Sequence, residues 1–157
     1  MERITFKEWP EGFMQAILQL EKFVATGGLD EQLMELIRTR VSQINRCAFC
    51  LDMHFKEGVH NGETPLRLFG LSAWREMPFY TDKERAALDF AEKMTLLPAE
   101  VDTDETLHTE LNKHFSKREI AFLTLAVAQI NTWNRINKSF GSAAGHYQAG
   151  MLAGLKQ

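Results

Sequence analysis

No segment of this sequence alternates apolar and polar residues as a half-buried strand does, whereas one segment after another repeats apolar residues at helical spacing. That contrast predicts an all-α fold of about seven helices. Trp9 to Thr26 carries Phe13, Met14, Ile17, Leu18, Leu20 and Phe23 close to that spacing, and Gly27-Gly28 ends it. Asp30 is an N-cap candidate for a second helix with Leu33, Met34, Leu36, Ile37 and Val41 on its apolar face and Asn45-Arg46 as its exit. A third helix runs from about Cys47 to about Gly62, and Thr64-Pro65 opens a fourth that extends to Met77-Pro78. Thr81-Asp82-Lys83-Glu84 and Ser116-Lys117-Arg118-Glu119 both match the capping box, in which the two end side chains satisfy each other's free amides. They precede apolar runs at Ala86 to Leu97 and Ile120 to Ile136, with a short helix at Glu105 to Phe115 between them. Past Gly141 the tail, with Gly145, Gly150 and Gly154, reads as small and mobile.

The 157 residues fit one compact domain, 1–157, and their 45% hydrophobic and 25% charged content is that of a soluble globular chain. A net charge of −3 without a Lys/Arg cluster argues against nucleic acid, which needs a concentrated basic face. No apolar run reaches the length of a membrane span, and the charged start, Glu2-Arg3 and Lys7-Glu8, lacks a signal-peptide core, so the expected location is the cytoplasm. Thiols are kept reduced there, which makes any disulfide more often catalytic than structural.

The two cysteines of the chain lie together in Arg46-Cys47-Ala48-Phe49-Cys50-Leu51-Asp52-Met53-His54. Random placement would give this spacing in about one chain in eighty, and a C-x-x-C pair in a chain with no other cysteine reads as redox or metal chemistry. On a helix Cys47, Cys50 and His54 share a stripe, with Cys50 and His54 one turn apart. Two role assignments follow. Either Cys50 attacks, with His54 as its base and Cys47 resolving the product as a disulfide, or the helix-terminal Cys47 attacks, its thiol acidified by the helix dipole. The first gives His54 a task and is preferred. Glu35, twelve residues before Cys47 on the preceding helix, is placed to hold the imidazole if the two helices are antiparallel, with Glu31 and Asp52 as rivals on spacing. A zinc site built from Cys47, Cys50, His54 and His60 closes poorly, because His60 faces about 120° away from His54 on the same helix. Trp133-Asn134-Arg135, on the most apolar helix, reads as packing with a lesser chance of lining a pocket.

A glutamate, eleven intervening residues, a C-x-x-C pair and a histidine four residues past the second cysteine resemble the signature of the alkylhydroperoxidase D-like branch of the carboxymuconolactone decarboxylase superfamily. Similar too are Arg40-Val41-Ser42-Gln43-Ile44-Asn45, Ala73-Trp74-Arg75-Glu76 and Ile130-Asn131-Thr132-Trp133-Asn134-Arg135, so the resemblance spans roughly residues 15–140. It implies an all-helical fold that assembles into homo-oligomers, and a peroxidase that reduces hydroperoxides through a Cys47/Cys50 dithiol–disulfide cycle without cofactor or metal. It also implies Cys50 as the peroxide-reactive thiol and a proton relay through Glu35 and His54; the expected cycle is closed by an external dithiol or thioredoxin-like reductant, which no motif identifies. The chain departs from characterised peroxidases that carry a second histidine between the cysteines; Phe49 stands there. The alternatives are a redox sensor or disulfide oxidoreductase module without efficient peroxide turnover, and a zinc-binding protein.

Overall fold

The computed structural model describes residues 2–101 and 104–151, and within them the fold is all-α. Seven α-helices are present: α1 (Phe13–Ala25), α2 (Glu31–Ile44), α3 (Ala48–His60), α4 (Pro65–Gly70), α5 (Asp82–Leu96), α6 (Glu105–His114) and α7 (Lys117–Phe140). Short 3₁₀ turns lie at Phe6–Glu8 and Leu71–Ala73. Among the described residues no helix is long and apolar enough to cross a membrane.

The fold is arranged around α2, which packs against α3, α5 and α7. Leu33, Ile37 and Val41 enter the main core with Phe90 of α5, Leu107 and Leu111 of α6, and Leu123, Val127 and Ile130 of α7. One turn round, Leu36 joins Leu68, Leu71, Trp74, Tyr80 and Leu88 in a second cluster, and Met34 meets Val24 and Ala126 in a third. A helix covered on every side also buries its polar residues, here Glu35, Arg38, Thr39 and Ser42. Glu35, Arg38 and Ser42 find partners inside the protein, while Thr39 Oγ1 has none among the described residues.

Asp30, Thr81 and Ser116 cap their helices as expected, and the Thr81–Glu84 and Ser116–Glu119 capping boxes are both formed. In the second, the Ser116 amide donates to Glu119 at 2.7 Å and the Glu119 amide to Ser116 Oγ at 3.3 Å. Ser116→Ala removes one of these two bonds and is expected to lower stability by about 1 kcal/mol in urea unfolding, while Ser116→Thr keeps the acceptor and most of the stability.

Three stretches differ from expectation. Helix α1 begins at Phe13 rather than Trp9, because Gly12 adopts a left-handed φ of 81° and turns the chain; Trp9 packs instead against Phe6, Phe13 and Phe140. The fourth helix stops at Gly70, well short of Met77. Beyond it, the Arg85 guanidinium donates to the carbonyls of Trp74, Arg75, Met77 and Tyr80, giving that irregular stretch the acceptor partners a helix would have supplied. The tail after Gly141, expected to be mobile, folds back on α3 as far as Gly150. The Gly145 amide donates to Asp52 at 3.0 Å, Lys56 donates to the Tyr147 carbonyl at 3.0 Å, and the Gly150 amide donates to Glu57 at 2.9 Å. Gly154 lies outside the described residues.

Candidate active site

The connection between α2 and α3 is tight. Arg46 takes a left-handed φ of 54°, and the Cys47 amide turns back to the Ser42 carbonyl at 3.0 Å. The Asn45 side chain fastens this corner to α7, donating to Asn131 Oδ1 at 2.9 Å and Asn134 Oδ1 at 2.8 Å. The two helices then run antiparallel: Gln32 meets Asn61, and Glu35 meets His54. They come close because Gly58 lies at the crossing, where a Cβ would already stand 3.1 Å from Leu68 Cδ1 and 3.6 Å from Glu35 Cβ.

Cys47 is the N-cap of α3, and its Sγ accepts from the Cys50 amide at 3.4 Å. It is joined to Cys50 by a disulfide, with the two Cα atoms 5.4 Å apart. Neither cysteine is more than 1% exposed. One turn after Cys50, His54 Nδ1 lies 2.8 Å from Glu35 Oε2. Glu35 is itself 1% exposed, and its other oxygen accepts from Arg38 Nη1 at 2.8 Å. Burial alone would raise this carboxyl's pKa, but the opposing charge and hydrogen bonds of His54, then those of Arg38, outweigh it and lower the pKa to about 2.

This ionisation fixes the imidazole. A carboxylate only accepts hydrogen bonds, so Nδ1 carries the hydrogen between them, and in the neutral ring Nε2 presents its lone pair. Nε2 is buried and has no hydrogen-bond partner among the described residues. The arrangement therefore aims a base along the face of α3 that holds Cys50.

The rival carboxylates are elsewhere. Glu31 is half exposed and reaches Arg38 at 3.6 Å, and Asp52 pairs with Lys56 at 2.7 Å. His60 stands at the exposed end of α3, away from the cysteines.

Four further residues were not singled out from sequence. Arg38 also reaches Glu21 of α1 at 3.0 Å, and Gln129 of α7 donates to the other Glu21 oxygen. Asn137 of α7 donates to Cys50 Sγ at 3.6 Å. Spacing held a trace of two of them: Arg38 is three residues after Glu35, and Asn131, Asn134 and Asn137 form a polar line at three-residue intervals on an apolar helix. Of the Trp133-Asn134-Arg135 stretch, Trp133 lines a cavity, Asn134 donates to Ser42 at 3.0 Å, and Arg135 turns back to Asn131.

That cavity, of about 770 Å³, is bounded by apolar side chains, among them Trp9, Leu18, Phe49, Met53, Ile130 and Trp133, and its polar wall includes Glu35, Arg38, His54 and Asn137. Phe49, His54 and Asn137 all face it, and all three adjoin Cys50 in sequence, by helical spacing or by hydrogen bond. Phe49 thus puts an apolar surface where a second histidine would be polar.

The family model described as "Carboxymuconolactone decarboxylase family" matches residues 11–93. The uncharacterized protein YdfG of Bacillus subtilis (strain 168) is 39% identical over 144 residues, 91% of this chain and 97% of that protein. The crystal structure of ATU0492 from Agrobacterium tumefaciens, a protein of unknown function suggested to be the antioxidant defence protein AhpD, superposes with a TM-score of 0.86 at 40% identity, covering 94% of this chain and all of that one. The debrominase Bmp8 shares the fold, with a TM-score of 0.73 at 20% identity over 84% of this chain and 70% of its own.

Proposed function

We propose, for a chain that belongs to the carboxymuconolactone decarboxylase family and to its alkylhydroperoxidase D-like branch, the activity of a thiol peroxidase working through Cys47 and Cys50. The observation that carries this reading is a cysteine pair at a helix start, one turn before a histidine whose Nδ1 is held by a buried, ionised glutamate and whose Nε2 is left free to act. The same fold in the debrominase Bmp8 supports more than one chemistry, so the reading rests on the side chains and not on the fold.

In the reduced protein, His54 Nε2 takes the Cys50 thiol proton, and the thiolate sulfur attacks the terminal oxygen of a hydroperoxide. The O–O bond breaks and Cys50 becomes a sulfenic acid. The departing alkoxide receives the proton from His54 and leaves as the alcohol. The Cys47 sulfur then attacks the Cys50 sulfur, its thiol proton leaves with the hydroxide as water, and the disulfide forms. An external dithiol or thioredoxin-like protein returns two electrons and two protons. Glu35 keeps the imidazole in the tautomer this sequence needs. The apolar cavity supports an organic hydroperoxide as substrate, and Phe49 supports a relay confined to His54 and Glu35. The proposal places the protein in the cytoplasm as a homo-oligomer; Phe69, 75% exposed, is the kind of residue a second copy would cover.

The test is a titration of reduced, reductant-free protein with cumene hydroperoxide and with hydrogen peroxide, following free thiols and intact mass. The expected result is loss of both thiols at one equivalent, with a mass decrease of about two units, reversed by a dithiol. Thiols that stay free would overturn the peroxidase reading. A disulfide that forms but that no dithiol restores would replace it with the redox sensor.

A further inference from the structure

We infer that Asn137 is a further catalytic residue: in the reduced protein its side-chain amide holds the Cys50 sulfur in the thiolate form, while Cys47 relies on a backbone donor instead. The catalytic meaning of this inference rests on the peroxidase reading; the geometry does not. Asn137 is 8% exposed and lies on α7, the helix packed across α3. Its Nδ2 makes two contacts, 3.0 Å to the Trp133 carbonyl and 3.6 Å to Cys50 Sγ.

The first contact decides how the amide is turned. The Trp133 carbonyl only accepts, so it selects the NH₂ side of Asn137, and the flipped amide would set two oxygens against each other. The second hydrogen of the same nitrogen is then directed to Cys50. A thiol gains little from such a donor. A thiolate gains considerably, because a hydrogen bond to an ionised group is about twice as strong as one between neutral groups. Once the disulfide is reduced, the contact therefore favours the ionised form of Cys50.

The two sulfurs are served differently. Cys47 Sγ has the Cys50 backbone amide at 3.4 Å, a donor that side-chain substitution leaves in place. Cys50 Sγ has the Asn137 side chain, which can be removed. Titratable and charged groups beside the pair include Arg46 next to Cys47, His54 on α3, Glu35 and Arg38 behind it on α2, and Lys138 on α7, whose ammonium is bound to the Arg46 carbonyl at 3.2 Å. No carboxylate contacts Cys50 among the hydrogen bonds of the described residues. Asn137 also lines the cavity, so one side chain touches both that space and the Cys50 sulfur.

The experiment reads each thiol alone. In the Cys47→Ser background, Asn137→Ala is expected to reduce the Cys50 thiolate fraction at neutral pH, and the rate of alkylation by iodoacetamide, about tenfold. In the Cys50→Ser background the same change is expected to leave Cys47 within about twofold. Asn137→Asp, equal in shape, puts a carboxylate against the sulfur and is expected to lower the Cys50 thiolate fraction further than alanine does. It also keeps the question open to test should the alanine variant fold poorly. An unchanged Cys50 titration, or an equal shift at both cysteines, would overturn the inference, the second by showing a general loosening of α3. A Cys50-selective shift in a protein that turns over no peroxide would uphold the hold on the thiolate and overturn the peroxidase reading instead.

Discussion

Replacing Cys50 with serine is expected to lower peroxide turnover by about a thousandfold or more, to the level of the buffer reaction, as removal of a covalent nucleophile does elsewhere. The reason is chemical. A serine hydroxyl at this position has His54 one turn away but stays protonated at neutral pH, and its oxygen cannot accept an oxygen atom from a peroxide as sulfur does. The change is nearly isosteric in a fully buried position, so the fold should persist. Cys47→Ser should differ in kind: one equivalent of peroxide is consumed and the reaction stops. The product carries a sulfenic acid on Cys50, seen as a gain of about sixteen mass units or as a dimedone adduct. Peroxidase assays and intact mass on the two variants separate the roles. Turnover that survives the loss of Cys50 but not of Cys47 would reverse the assignment and make the helix-capping thiol the attacker.

Arg38→Leu is expected to reduce stability by about 3–5 kcal/mol, measured by urea unfolding of the reduced protein at fixed protein concentration. Arg38 is the buried cation between Glu35 and Glu21, and leucine leaves both carboxylates without it. The effect should depend on pH in a defined direction. The Glu35 pKa is lowered in the folded protein, from the usual 4.5 to about 2, so its contribution to stability is complete above about 4.5 and is lost as pH falls from there towards 2. The gap between wild type and variant should therefore narrow through that window, because a protonated Glu35 no longer requires the cation. Arg38→Lys keeps the charge without the two-armed guanidinium and should fall between the two. A loss below about 1 kcal/mol, or a gap that stays constant on acidification, would show that the carboxylates find other partners.

The reach of the sequence can be judged residue by residue. Caps at Asp30, Thr81 and Ser116 were legible because capping is settled within four residues, whatever the helix later packs against. The early stop of α4 was not, since it depends on Arg85, a side chain on another helix that satisfies the carbonyls of the irregular stretch. The tail after Gly141 looked loose from its glycines, yet Asp52, Lys56 and Glu57 of α3 hold it as far as Gly150.

At the site, the sequence alone determined the all-α class, the cysteine pair at the start of the third helix and the placing of His54 one turn after Cys50, for these follow from helical spacing over a few residues. The E…C-x-x-C…H pattern named the family and, through it, Glu35 as the partner of His54. Tertiary structure decided which carboxylate actually meets the imidazole. It also set the charge state of that carboxylate and supplied Arg38, Glu21, Gln129 and Asn137 around it. The physical reason is the burial of α2 on all sides. Glu35, Arg38 and Ser42 of that helix find their partners on α3, α1 and α7, in segments as far as 92 residues away in the chain.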